Sequence, residues 1–421
     1  MHINKFLLGF RSFPRDARLM LFSQLITNIG DGAFTLSLGA ALYKLTGNIG
    51  AFGLVIIIEY IISFSVELFA GYLVDKRNPK KICSLMDYIR GISICLASIA
   101  LLYNNSIVLL LFSVIIINLA KPFYQSGSFS ITPELVPENR LAEYNLIKSQ
   151  YMQLGQVLGI AMAGPILAWF GESIALMVNG LSFLIAGMLV SFMTNIKPHL
   201  ITNESMSFND FIEKWKTVCI FLINNKLLLG ILVISSFDFL VINFINLQLV
   251  PIIEENFHGN LSLLSLFDGS FAFSMIVVAP FILNLLNGVK ESRIITLSLL
   301  SLSLCFIVLG FSHNFIFTSF IFGFMGCISL LTGTVYVTFI QQQAKGNIKG
   351  RISSVRKLIL SILSIFLMPI LSKLNASSIV IGLIFCACLC FFFQILFTFI
   401  IRRSTGDFKI IKTTSNKVSQ S

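Results

Sequence analysis

Gly71-Tyr72-Leu73-Val74-Asp75-Lys76-Arg77-Asn78-Pro79-Lys80-Lys81 sets a glycine, a carboxylate and four basic residues directly between two long apolar segments. The basic residues resist crossing a bilayer, the aspartate suits a neighbouring helix N-terminus or a cation, and the glycine lets two helices approach closely. The stretch therefore reads as a short cytoplasmic loop between membrane helices.

The 421-residue chain around it is 56% hydrophobic and only 12% charged, with a mean hydropathy of +0.88. That composition excludes an ordinary soluble protein. A span needs about 20 mostly apolar residues. On that measure twelve follow, near 18–45, 49–74, 81–103, 106–127, 141–169, 173–194, 226–250, 261–287, 293–312, 315–341, 352–374 and 377–401. One long polar stretch interrupts them, Asn195 to Asn225, where Phe208, Phe211, Ile212 and Trp215 are spaced as on an amphipathic helix. The expected fold is an all-α polytopic membrane protein of twelve transmembrane helices in two pseudo-symmetric six-helix bundles. Residues 1–194 form the first bundle, 195–225 a cytoplasmic linker, 226–401 the second bundle and 402–421 a short basic tail.

The net charge of +11 has a topological explanation. A nucleic-acid binder clusters its cations on a polar domain, and no such domain is present. Twenty-five of the 30 Lys and Arg residues fall in or beside the even-numbered connections and the two tails, whereas only Lys44 and Lys373 lie near the other side. Arg90, Lys121 and Lys148 complete the set, within or at the ends of spans. By the positive-inside rule both termini are cytoplasmic and the protein is a multi-pass protein of the cytoplasmic (inner) membrane. Met1 to Arg18 reads as the flank of a retained first helix, since a full-length span containing Asp31 follows it without a small-residue cleavage site.

Charged groups inside a bilayer are costly and need a partner, a watery cavity or a proton. Asp31 lies about thirteen residues into span 1 and Asp238 about twelve into span 7, so both fall near mid-bilayer. Glu59 lies past the middle toward the outside, and Asp268 closer still to the outer end. With Asn28 beside Asp31, these carboxylates are the candidate proton-coupling and substrate-cavity residues: burial favours a carboxyl's neutral form and access to water its charged form. Glu67, about 12 Å along the helix from Asp75, is expected to be structural, paired with Lys148 or Arg90. The net negative cavity favours neutral or cationic amphipathic cargo, with Phe34, Phe237, Phe239 and Phe244 as candidate apolar lining. Eight cysteines lie in or beside apolar runs without metal-site spacing and read as small packing residues, so no metal or cofactor is expected. His2, His199, His258 and His313 are isolated and no phosphate-binding loop is present, which argues against an enzyme or an ATP-driven pump.

The opening stretch resembles the signature loop between helices 2 and 3 of the major facilitator superfamily. Three further stretches resemble one branch of it, the macrolide-efflux-like exporters that include enterobactin-type siderophore exporters. They are Asn28-Ile29-Gly30-Asp31-Gly32 with Leu45-Thr46-Gly47-Asn48, the turn from Thr132 to Leu141, and Lys349-Gly350-Arg351-Ile352-Ser353-Ser354-Val355-Arg356. In span 5, Gly159 and Gly164-Pro165 are similar to the hinge motif of facilitator antiporters, although Leu167 and Ala168 replace its usual paired glycines. Span 4 carries Lys121 where many drug/proton antiporters have an arginine. The resemblance implies secondary-active efflux of amphipathic small molecules by proton antiport, with macrolide or multidrug resistance as its phenotype, or alternatively siderophore export. A non-transporting sensor or assembly partner is a third reading, lacking the soluble domain such a role usually needs. The expected partners are a small-molecule substrate, protons and the lipid bilayer, with no nucleic acid, in a monomer. Gly71, Asp75, Lys76, Arg77 and Lys80 form the expected gating loop, in which Asp75 latches the halves together by meeting a helix N-terminus or a base of the second half, Arg351 or Arg356.

Overall fold

A computed structural model describes residues 12–46, 50–104, 107–194, 208–258, 262–344 and 348–403. These residues form helices and short turns, without a strand among them. The helices are α1 (Arg15–Thr46), α2 (Gly50–Lys76), α3 (Pro79–Asn104) and α4 (Ile107–Leu135), followed by a short 3-10 turn at Glu138–Arg140. The segment Leu141–Ser191 is two helices, α5 and α6, meeting at Gly171, whose φ of 77° and ψ of 178° a side chain would strain. Then come α7 (Phe208–Asn224), α8 (Lys226–Asn256), α9 (Ser262–Gly288), α10 (Glu291–Leu309), α11 (Phe315–Gln343), α12 (Lys349–Ser377) and α13 (Ile379–Arg403).

Short polar turns set the boundaries. Asn78 Oδ1 accepts from the N–H groups of Lys80 and Lys81 at 3.0 and 3.4 Å, and Pro79 sits at the first helical position, where its missing N–H costs nothing. Asn225 and Asn314 cap α8 and α11 in the same way. Among the described residues, eight helical segments are long and apolar enough to cross a membrane, Glu138–Ser191 counting as one. Their outer surfaces are Phe, Ile and Leu: Phe320 is 70% exposed and Trp169 77%. So large an exposed apolar surface fits hydrocarbon and not water.

The interior divides into a large hydrophobic cluster centred on α8–α13 and two smaller clusters among α1–α6. Helix α1 packs closely on α5: a Cβ at Gly159 would lie 2.1 Å from the carbonyl oxygen of Ile29, so only glycine fits. Val218 and Leu222 of α7 belong to the α8–α13 cluster, while Phe211 of the same helix stacks on Phe69 of α2, ring centroids 5.1 Å apart. Helix α7 thus touches both sets of helices at the end of the molecule that carries the α2–α3 turn, called the linker end below.

Candidate functional site

The Gly71–Lys81 stretch forms the seam between α2 and α12. The two helices run antiparallel, so Asp75, at the end of α2, meets the beginning of α12. Its Oδ1 accepts from the Gly350 N–H at 2.7 Å, and its Oδ2 accepts from the Arg351 N–H at 3.2 Å and from Arg351 Nε at 2.7 Å. Both partners expected in general terms, a helix N-terminus and a base, are therefore present at once. Asp75 is 5% exposed and Arg351 5%, so the pair is a dry contact. Gly71 lies one turn away, where a Cβ would come 2.4 Å from Ser354 Oγ and 2.9 Å from both Arg351 Cα and the Gly350 carbonyl oxygen.

Arg356 takes no part in this contact, so of the two bases expected opposite Asp75 only Arg351 meets it. Five residues along a helix turn a side chain through about 500° and carry it about 7.5 Å inward. The Arg356 charge acts on Asp238 and Tyr336 inside the second set of helices, and its carbonyl oxygen accepts from Ser236 Oγ at 2.8 Å. The rest of the loop is distributed among neighbours. Lys76 Nζ lies 2.6 Å from Asp210 Oδ2 on α7, an oxygen that also accepts from the Tyr72 hydroxyl. Lys80 Nζ donates to the Met193 carbonyl at 2.5 Å, and Arg77 is exposed. Hydrogen bonds from Lys76 and Tyr72 hold the Asp210 carboxyl below its ordinary pKa. Arg351 Nη1 donates to the Lys214 carbonyl at 2.5 Å, so α7 is tied to α2 and α12 together.

Further contacts close the same end. Ser126 and Ser354 hydroxyls are 3.3 Å apart, Asn145 Nδ2 donates to Thr338 Oγ1 at 3.0 Å and to Gln341 Oε1 at 2.7 Å, and Gln341 Nε2 donates to the Phe129 carbonyl at 3.3 Å. Lys349 Nζ stands 3.5 Å from Glu134. Deeper in, Gln150 Nε2 donates to the Ile276 carbonyl at 2.8 Å. These bonds join α4 and α5 to α9, α11 and α12.

The intramembrane carboxylates are dispersed. Asp31 is exposed on α1, and its charge reaches Asp87 on α3. Asn28, partly buried, donates back to the Gln24 carbonyl at 2.7 Å. Asp238 is 6% exposed, between α8 and α11, where Thr332 Oγ1 donates to its Oδ2 at 2.9 Å; Oδ1 has no hydrogen-bond partner. Asp268 is exposed on α9. Glu59 lies outside the residues whose side chains are described. In the expected helix-5 hinge, Gly159 is packed against α1, whereas a Cβ at Gly164 would meet nothing within 4 Å, and helical geometry continues through Pro165 to Gly171. Phe237 stacks on Phe393 at 3.8 Å and Phe244 is fully buried, so both are core residues. Phe239 is 41% exposed, and Phe34 packs against one of the smaller clusters.

Asp87 is a polar core residue that sequence reasoning missed. It pairs with Arg90 one turn along α3, and the Arg90 guanidinium lies 4.5 Å from the Tyr124 ring centroid and 4.2 Å from that of Phe183. This overturns the pairing of Glu67 with Arg90 or Lys148: Lys148 Nζ donates to Ser128 Oγ at 2.8 Å, and the cation acting on Glu67 is Lys357 of α12. Among the described residues no group of three His, Cys, Asp or Glu side chains is placed to hold a metal ion.

The family model described as Major Facilitator Superfamily matches residues 20–369. The fold is similar to that of a bacterial homologue of the iron transporter ferroportin in an outward-facing state, at a TM-score of 0.75 and 14% identity over 93% of this chain and 100% of that one. It is also similar to the human organic anion transporter TETRAN (TM-score 0.65, 13% identity, 91% of this chain and 99% of that one) and to the E. coli fucose:proton symporter (0.67, 13%, 93% and 98%). A search of curated proteins finds no sequence match. At these identities the structural likenesses speak for the twelve-helix fold alone, and the family match over most of the chain supplies the classification: the protein belongs to the major facilitator superfamily of membrane transporters.

Proposed function

We propose that the chain is a secondary-active exporter of amphipathic small molecules, of the macrolide and drug type, across the cytoplasmic membrane, working by alternating access with protons as the counter-ion. The carrying observation is the α2–α12 seam, where Asp75 sits on the N-terminus of α12 and on Arg351 while the hydrogen bonds of Asn145, Gln341 and Ser126 close the same end. With the basic connections at that end, the positive-inside rule makes it the cytoplasmic face. The protein is then shut toward the cytoplasm. The halves 1–194 and 226–401 rock about a midplane cavity, with 195–225 as the linker between them and 402–421 as a cytoplasmic tail. A ligand drives that motion only by binding the two states differently. Exposed Asp31, beside Asn28, is the proposed proton-coupling group, with Glu59, Asp238 and Asp268 as further carboxylates, and Gly159 and Gly164-Pro165 as the pliable part of helix 5.

A direct test uses inside-out vesicles carrying a pH gradient. Addition of a substrate collapses the gradient in the wild type and not in Asp31→Asn; an unaltered response in the mutant rejects Asp31 as the coupling site. Cargo is tested by comparing the accumulation of macrolides, cationic dyes and siderophores in cells with and without the gene. The siderophore reading draws on the same branch resemblance, but an exposed Asp31 disfavours a polycarboxylate. Selective loss of siderophore secretion without the gene would reverse that order.

A further inference from the structure

The α2–α12 seam has a regular register. Asp75 meets Gly350 and Arg351, and one turn inward a Cβ at Gly71 would press on Ser354. Because the helices are antiparallel, another turn brings Glu67, four residues back along α2, opposite Lys357, three residues on along α12. The electrostatics agree, since the charge acting on Glu67 comes from Lys357. Glu67 is 1% exposed, and neither of its carboxyl oxygens has a hydrogen-bond partner. Lys357 Nζ lies over the Phe239 ring, 5.3 Å from its centroid.

The other charged groups on the helices packed against α2 are these. Asp87 pairs with Arg90 on α3, Asp210 of α7 serves Tyr72 and Lys76 at the linker end, and Glu134 of α4 meets Lys349. Asp31 of α1 interacts with Asp87, Arg356 of α12 acts on Asp238, and Lys121 lies on α4, five residues from Ser126, while the charge acting on Glu67 is that of Lys357. An ionised carboxylate shut into a dry helix seam without a donor is expensive, and the expense disappears when the group carries a proton or meets water. We propose that Glu67 is a proton site of the α2–α12 seam: it holds a proton while the seam is shut and gives it to the cytoplasm when α2 parts from α12, with Lys357 opposing protonation.

Opening at this end is thereby tied to cytoplasmic pH. Acid favours the shut seam and alkali the open one. The sign is opposite to that of Asp75, whose protonation strips the latch of its charge and favours opening. The inference rests on the alternating-access reading but on neither the cargo nor the identity of the coupling ion, and its test needs no substrate.

Double electron–electron resonance tests it on the full chain in liposomes, with spin labels at Arg77→Cys and Lys290→Cys and the exposed Cys219 and Cys388 changed to serine. The expected ratio of open to shut populations rises with pH by up to about tenfold per unit, the limit for one proton. In Glu67→Gln that alkaline opening is absent, and in Lys357→Met its midpoint moves to higher pH. A wild-type pH profile in Glu67→Gln overturns the proposal, and an unmoved midpoint in Lys357→Met overturns the part given to Lys357. A wild type fixed in one population at every pH sinks the alternating-access reading instead, which separates the two failures.

Discussion

Gly71→Ala is the sharpest perturbation of the seam, because its consequence follows from geometry. The added Cβ would stand 2.9 Å from Arg351 Cα and 2.9 Å from the Gly350 carbonyl oxygen, whereas ordinary contact begins near 3.4 Å. Ser354 Oγ, at 2.4 Å, can rotate away; the backbone atoms cannot. The helices must therefore separate by about half an ångström, the difference between those distances. The weakest latch bond, Arg351 N–H to Asp75 at 3.2 Å, is then stretched beyond useful length. Overpacking of this kind costs about 1–3 kcal/mol. Paid only in the shut state, it shifts the balance toward the open state by roughly 5- to 150-fold. The resonance pair at Arg77 and Lys290 reads this as growth of the longer-distance population. Gly333→Ala on α11, whose Cβ would meet nothing within 4 Å, is the control and should change nothing. Ser354→Gly should rescue Gly71→Ala only in part, since it leaves the backbone clashes in place. An unchanged distance distribution in a folded Gly71→Ala protein refutes the argument.

Three other outcomes are expected. Asp75→Asn leaves Arg351 buried without its counter-charge, a loss of about 3–5 kcal/mol to the shut state, seen as faster maleimide labelling of a cysteine placed at Thr338. Arg90→Met strands Asp87 and lowers the thermal unfolding temperature in detergent, while adding Asp87→Asn recovers most of the loss, because the cost lies in the unpaired charge and not in the missing pair. Asp210, whose folded-state pKa lies below its ordinary value, contributes docking of α7 that is fully present above the ordinary value and lost as pH falls through the lowered one. In Glu67→Gln, where pH does not work the seam, tryptophan emission from Trp215 should accordingly stay constant from about pH 8 to 5 and change only below the ordinary aspartate range, near pH 4.

How much of this was legible in the sequence depends on the range of each interaction. The Gly71–Lys81 stretch carries its own topology, because hydrophobic length and positive charge act locally. Asp75's need for a helix N-terminus or a cation was readable from its chemistry; that it takes both at once was not. The choice of Arg351 over Arg356 was set by helical rotation against a partner 276 residues away. Depth along a helix was also readable, which placed Asp31 and Asp238 near the middle. Azimuth was not: Asp238 turns into the α8–α11 contact and bonds Thr332, whereas Asp31 is exposed. The Asp87–Arg90 pair was within reach, since an i,i+3 carboxylate and guanidinium on one apolar helix announce each other. Glu67's companion was not, because the α2–α12 register is a tertiary fact. The break between α5 and α6 was legible as well, since span length separates 141–169 from 173–194 and the non-helical Gly171 lies between them.

In alternating access the α2–α12 seam opens in every transport cycle. Beside it, the hydroxyl oxygens of Ser126 on α4 and Ser354 on α12 are 3.3 Å apart, so cysteines in their places stand close enough to be joined by an oxidant, which would hold α12 against the first set of helices and keep this end shut. The measurement is transport, before and after oxidation, of whichever macrolide, dye or siderophore the intact chain is found to move. The account predicts complete arrest on cross-linking and full recovery on reduction. Continued transport by the cross-linked protein would contradict it.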